Sequence, residues 1–207
     1  MIKQRVAAII GIIAQADDRS EKVFGLLRSL KVSINQLATS TIITRSWIEM
    51  LCRDWFIGHY AESFVPLDPS WPGLETLVDA VGLVLSTDCD LKTLVLQTEM
   101  PLEDSLERVS YTCKDLVLFI CDDGHAGIAY PGVEVGDTVS VVLGCSLPAI
   151  LRSYPRDTYS WEVVSATAVA GLMRGGAIYG DNFPPHWRAI LRGEDDLDNA
   201  VTRIDGI

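Results

Sequence analysis

The chain has 207 residues, 48% hydrophobic and 22% charged, which is enough to bury a core and too apolar for disorder. Acidic side chains number 28 against 17 basic ones, for a net charge of -11. That balance argues against phosphate-backbone binding and against anionic membrane surfaces, and no apolar run is long enough to span a bilayer.

The five cysteines, Cys52, Cys89, Cys113, Cys121 and Cys145, are odd in number and widely spaced, with no CxxC. That pattern reads as reduced thiols in a cytoplasmic protein, and it lacks the close ligand pairs of a zinc site. Lys3 and Arg5 precede the apolar run Val6–Ala14, and Ala14-Gln15-Ala16 has the small-x-small form of a cleavage site. Secretion is therefore the alternative localisation. The reading taken here is a core helix over residues 2–15, because apolar residues continue at helical spacing through Val23, Phe24, Leu27 and Leu30.

Asp17–Ser20 breaks that helix, with Ser20 as N-cap for Glu21–Leu30 and Ser33 opening a segment to Ile43. Thr44–Tyr60 reads as a helix whose Trp47, Leu51 and Trp55 share a core face. Pro66–Gly73 is loop. Leu74–Leu85 is apolar at helical spacing, Leu91–Leu96 extends the helical layer, Met100-Pro101 interrupts, and Leu102–Val109 is a short acidic helix or turn.

From Asp115 the period changes. Leu116–Cys121 reads as a strand, Asp122–His125 as an Asp-Gly hairpin turn, and Ala126–Tyr130 as the returning strand. Gly136-Asp137 is a turn before Thr138–Val142, a β-branched run expected to be buried on both faces. Ala149–Leu151 and Thr158–Val164 follow as strands around a turn at Tyr154–Asp157. Pro184-Pro185 closes the module, Trp187–Leu191 is a last helical turn, and an acidic tail follows. Strands in close succession point to a small barrel or sandwich.

An ordered series runs through this half: Phe119–Cys121, Gly127–Pro131, Gly136–Val139, Leu143–Pro148, Leu151-Arg152 and Gly171–Met173. It resembles the C-terminal region of fungal heterokaryon-incompatibility (HET-domain) proteins, whose tails carry G-x-G-x-x-P, G-D-x-V, L-x-G-x-x-x-P-x-x-L-R and Gly-(Ile/Leu)-Met. The resemblance spans Leu116–Gly175, with fainter echoes at Asp17–Leu27 and Ser46–Asp54. The positions that carry it are Gly127, Pro131, Gly136, Asp137, Val139, Gly144, Pro148, Leu151, Arg152, Gly171 and Met173. The family's N-terminal HET domain has no counterpart here. Where its last strand carries Glu, Tyr and His, this chain has Ala166, Ala168 and Ala170.

Among chemically capable residues, Cys121, Asp122, Asp123 and His125 cluster at one turn. Acidic residues chosen for turn geometry account for them more simply than a metal site or a Cys–His pair. Asp137 is expected to close a turn through backbone N–H groups. His59 reads as capping a helix end and His186 as loop packing. The glycines from Gly171 to Gly180 lack the Lys and Ser/Thr of a phosphate loop.

The expected architecture is α+β: a mainly helical region 1–112 packed against a small antiparallel β-barrel or sandwich at 113–192, with an acidic tail at 193–207. The resemblance implies a non-catalytic accessory or recognition region acting in fungal non-self recognition through a protein partner, with no cofactor and no metal. The alternatives are a thiol hydrolase using Cys121 or Cys145 with His125, or a truncated relic with no selected role.

Overall fold

The computed structural model describes residues 3–13, 19–37, 43–55, 72–97, 102–142, 145, 147–154 and 157–172. Within them, one strand comes first, β1 (Lys3–Ile12). Five helices follow: α1 (Arg19–Gln36), α2 (Arg45–Trp55), α3 (Leu74–Ser86), α4 (Leu91–Gln97) and α5 (Leu102–Thr112). Then come β2 (Val117–Cys121), β3 (Ala126–Ala129), β4 (Thr138–Ser140), β5 (Ala149–Tyr154) and β6 (Asp157–Val169). The strands close into an antiparallel barrel in the order β1-β2-β3-β6-β5-β4. The fold is α+β, with the helices inserted between the first and second barrel strands.

β1 overturns the helix expected over residues 2–15. It pairs with β2 on one side and β4 on the other, so it is the strand that closes the barrel. A continuous apolar run of this length fits either a helix or a strand, and β-branched content favours the strand, in which Ile9 and Ile12 stay exposed. Val6, Ile9, Ile10 and Ile12 supply that content. Its pairing partners lie more than a hundred residues away, where local periodicity cannot see them. Two register shifts, between Val6 and Ala8 and between Ile9 and Gly11, let β1 serve two cores. Val6 points into the barrel, while Ala8, Ile10 and Ile13 pack on the helices.

α1 is also longer than expected. Val23, Phe24, Leu27, Leu30 and Ile34 form one buried stripe at helical spacing, so Ser33 lies inside the helix and starts no new segment. Ser20 sits in its first turn and donates to the Glu103 carbonyl at 3.2 Å rather than capping Glu21–Leu30. α1 packs on α5 and α3, and α2 packs on α3. The C-terminal end of α3 is held from α1, where Arg28 bonds the Thr87 carbonyl and Lys31 bonds Asp88 Oδ1 at 3.0 Å.

β2 and β3 form the expected hairpin, with Gly124 at φ +88° in its turn. Every residue of β2 is buried. Leu118 and Ile120 face the helical core, and Phe119 and Cys121 face the barrel interior. Burial on both faces explains why the strand reads as an unbroken apolar run. The barrel is filled by Val6, Phe119, Cys121, Ala129, Val139, Ile150 and Val169, so it is a packed core and not a channel. β4 is shorter than the run that announces it: Thr138–Ser140 are buried, but Val142 is exposed.

Several sequence expectations lie outside the described residues. They are Ala14–Ala16, most of Pro66–Gly73, Met100-Pro101, His59, the Trp55 side chain, Gly144, Met173, Pro184-Pro185, Trp187–Leu191 and the tail.

Candidate functional site

Two of the motif pairs, Gly136-Asp137 and Leu151-Arg152, meet where the chain enters β4 and runs along β5. Gly136, at φ +96°, turns the chain into β4, a left-handed conformation natural to glycine. Asp137 follows with its side chain only 3% exposed. Arg152 Nε donates to Asp137 Oδ1 and Arg152 Nη2 to Asp137 Oδ2, both at 2.8 Å. The pairing is bidentate, the geometry that suits guanidinium and carboxylate best. The Glu134 backbone N–H also donates to Asp137 Oδ2 at 2.8 Å, while Arg152 Nη2 reaches the Gly132 carbonyl at 2.7 Å. Arg152 Nη1 lies 3.2 Å from Glu134 Oε1.

The β4–β5 ladder sets this up. Thr138 pairs with Leu151, so Asp137 and Arg152 lie one step beyond that pair. The G-D and L-R motifs, apart in sequence, are thus two halves of one clamp around residues 132–137. Burial alone would raise the Asp137 carboxyl, but the guanidinium and the Glu134 N–H outweigh it and hold it below the usual carboxylate range. The same contact raises Arg152 above its ordinary value. Asp137 does accept a backbone N–H as expected. Its pairing with Arg152 was not legible from spacing.

Gly127 answers to a different need. It is the cross-strand partner of Phe119, and a Cβ built on it would lie 2.5 Å from Phe119 Cζ and 3.0 Å from the Ala168 carbonyl oxygen. The ring occupies the space a side chain would fill. Val139 and its partner Ile150 are interior barrel residues. Pro148 is buried, and its carbonyl accepts the Thr167 N–H at 3.0 Å. Pro131 lies exposed in the turn after β3. Gly171, at φ +85°, follows β6 beside His125. Ala166 is exposed, Ala168 half-buried and Ala170 buried against the helical core.

The acidic turn is occupied by structural bonds. Asp122 Oδ1 accepts the Arg5 N–H at 3.2 Å, and the Asp122 N–H donates to the Arg5 carbonyl at 2.8 Å. Asp123 Oδ1 accepts the His125 N–H at 3.1 Å, and Asp123 Oδ2 lies 2.9 Å from His125 Nδ1. Burial pulls the Asp123 carboxyl upward, but these His125 contacts prevail and lower it. Cys121 is fully buried inside the barrel, and burial, helped by the charges of Asp123 and Asp122, pushes its thiol far up. Burial likewise raises Cys52 and pushes Cys113 up to about 12. Cys145 is exposed. Among the described residues no group of three His, Cys, Asp or Glu side chains is placed to hold a metal ion.

Polar residues that sequence reading missed also work inside the barrel. Thr167 Oγ1 donates to the Ile128 carbonyl at 2.8 Å, and Ser165 Oγ accepts the Tyr130 N–H at 3.1 Å. Their signal was their place on the inward parity of β6, the face they share with Val169. No protein family, curated protein or solved structure matches this chain.

Proposed function

We propose that this chain is a non-catalytic accessory or recognition region of a heterokaryon-incompatibility-like protein, acting in fungal non-self recognition through protein contacts in the cytoplasm. The observation that carries the reading is the Asp137–Arg152 clamp. Two residues of the shared motifs, both capable of chemistry, are saturated by one another and by loop backbone. Gly127, Val139 and Pro148 are likewise occupied with packing. What the resemblance retains is a scaffold.

A packed barrel scaffold of this kind acts through what it binds. The partner in this reading is a full-length HET-domain relative, and the net charge of -11 favours a protein surface over DNA or anionic lipid. The outer face of the β5–β6 hairpin presents Tyr154 and Val163, the latter 69% exposed, which suits a protein contact. The test is expression in a fungal host, alone and together with a full-length relative. The expected result is normal growth alone and an altered incompatibility response on co-expression. Growth arrest by the isolated chain, or no effect in either arm, overturns the proposal.

A further inference from the structure

His125 stands where four parts of the fold meet. Its Nδ1 lies 2.9 Å from Asp123 Oδ2 in the β2–β3 turn and 3.3 Å from Gln4 Nε2 on β1. A Cβ built on Gly171, just after β6, would come 3.4 Å from His125 Cδ2 and Nε2 and 3.7 Å from Met50 Sδ on α2.

The two contacts at Nδ1 conflict. A carboxylate oxygen at 2.9 Å requires a proton on Nδ1, because an ionised carboxylate only accepts. An amide NH2 group also carries only donors, so it would face that proton donor to donor. The amide oxygen and nitrogen of glutamine have nearly the same shape, and a half-turn exchanges them. At the other end of the amide, Gln4 Oε1 is buried and has no hydrogen-bond partner among the described residues. The residue is only 9% exposed, so bulk water does not supply a donor. A half-turn gives the oxygen a donor and removes the clash at Nδ1, and it sets the amide N–H groups where Oε1 now lies.

We infer that the Gln4 amide oxygen faces His125, and that the Nδ1–H is shared between Asp123 Oδ2 and Gln4 Oε1 as a latch tying β1 to the β2–β3 turn. The latch lies beside the two bonds that Arg5 and Asp122 exchange, at the start of the strand that closes the barrel. It fixes the neutral imidazole as the Nδ1–H tautomer and leaves Nε2 as the acceptor. Release of β1 here would uncover the edges of both β2 and β4. The inference is independent of the proposed function.

Long-range 15N–1H correlation spectra read the tautomer directly. The chain has three histidines, and a His125→Gln sample identifies the resonance. In the neutral ring the expected signal is a proton on Nδ1. A ring protonated on Nε2 alone overturns the inference. In Gln4→Met, which keeps bulk and removes the acceptor, the Arg5 and Asp122 amides should exchange about tenfold faster. Unchanged exchange at both amides shows that no latch exists.

Discussion

Gly127→Ala is a test in which the sign of the effect decides. Gly127 sits in β3 without a positive φ, so replacing it by alanine in an open strand would help. Reduced chain entropy in the unfolded state is worth about 0.5–1 kcal/mol. The structure predicts the opposite. The new Cβ would meet Phe119 Cζ at 2.5 Å and the Ala168 carbonyl oxygen at 3.0 Å. Carbon–carbon contact needs about 3.5 Å, so the ring must retreat by about 1 Å. Phe119 is fully buried among Val6, Cys121, Val139 and Ile150, and Ala168 is fixed in the β3–β6 ladder. Overpacking of this kind costs about 3 kcal/mol at its upper range. For a chain of this size that lowers the thermal midpoint by about 6–12 °C. Circular dichroism melts of the wild type, Gly127→Ala, Phe119→Leu and the double variant form a cycle. In the Phe119→Leu background the same alanine should be close to neutral, a coupling above about 1 kcal/mol. An unchanged or raised midpoint for Gly127→Ala alone refutes the argument that the ring fills the glycine's space.

Asp137→Asn should cost about 1.5–3 kcal/mol in urea unfolding at pH 7, the range for hydrogen bonds to a charged group. Because the folded carboxyl is held below the usual range, its contribution is complete above the unfolded value of about 3.9 and is lost as pH falls through the lower folded value. The variant should therefore show a flatter acid limb, and superimposable pH profiles would count against the clamp. Peptide mapping after brief treatment with a thiol reagent at neutral pH should find Cys145 modified and Cys52, Cys113 and Cys121 protected until unfolding; rapid modification of Cys121 would contradict its placement in the barrel. Leu106→Ala, at a fully buried position where α5 packs on α1, should cost about 2–5 kcal/mol, read from the same melts.

What could be read from the sequence follows from how local each signal is. The Asp-Gly turn announced the β2–β3 hairpin, because a tight turn is encoded in the residues that make it. α3 was legible because Leu74, Leu77, Val78, Val81 and Leu85 repeat at helical spacing. β1 was not, since a run apolar on every side carries no period and its partners are remote. The clamp was half legible: Gly136-Asp137 marked a turn, but Arg152 is its partner only because β4 and β5 pair Thr138 with Leu151. Gly127 was marked by resemblance alone. Its reason, the Phe119 ring, depends on the register of two strands.

We propose that the barrel is a scaffold that works by contact with a HET-domain protein. The most direct measurement is titration of the purified chain into a full-length HET-domain relative, followed by calorimetry. Saturable binding with Kd of about 1 μM or tighter, near −8 kcal/mol, is expected. Gly127→Ala, measured where its barrel is largely unfolded, is also expected to abolish the binding. Heats of dilution only, at every concentration reached, would contradict the proposal.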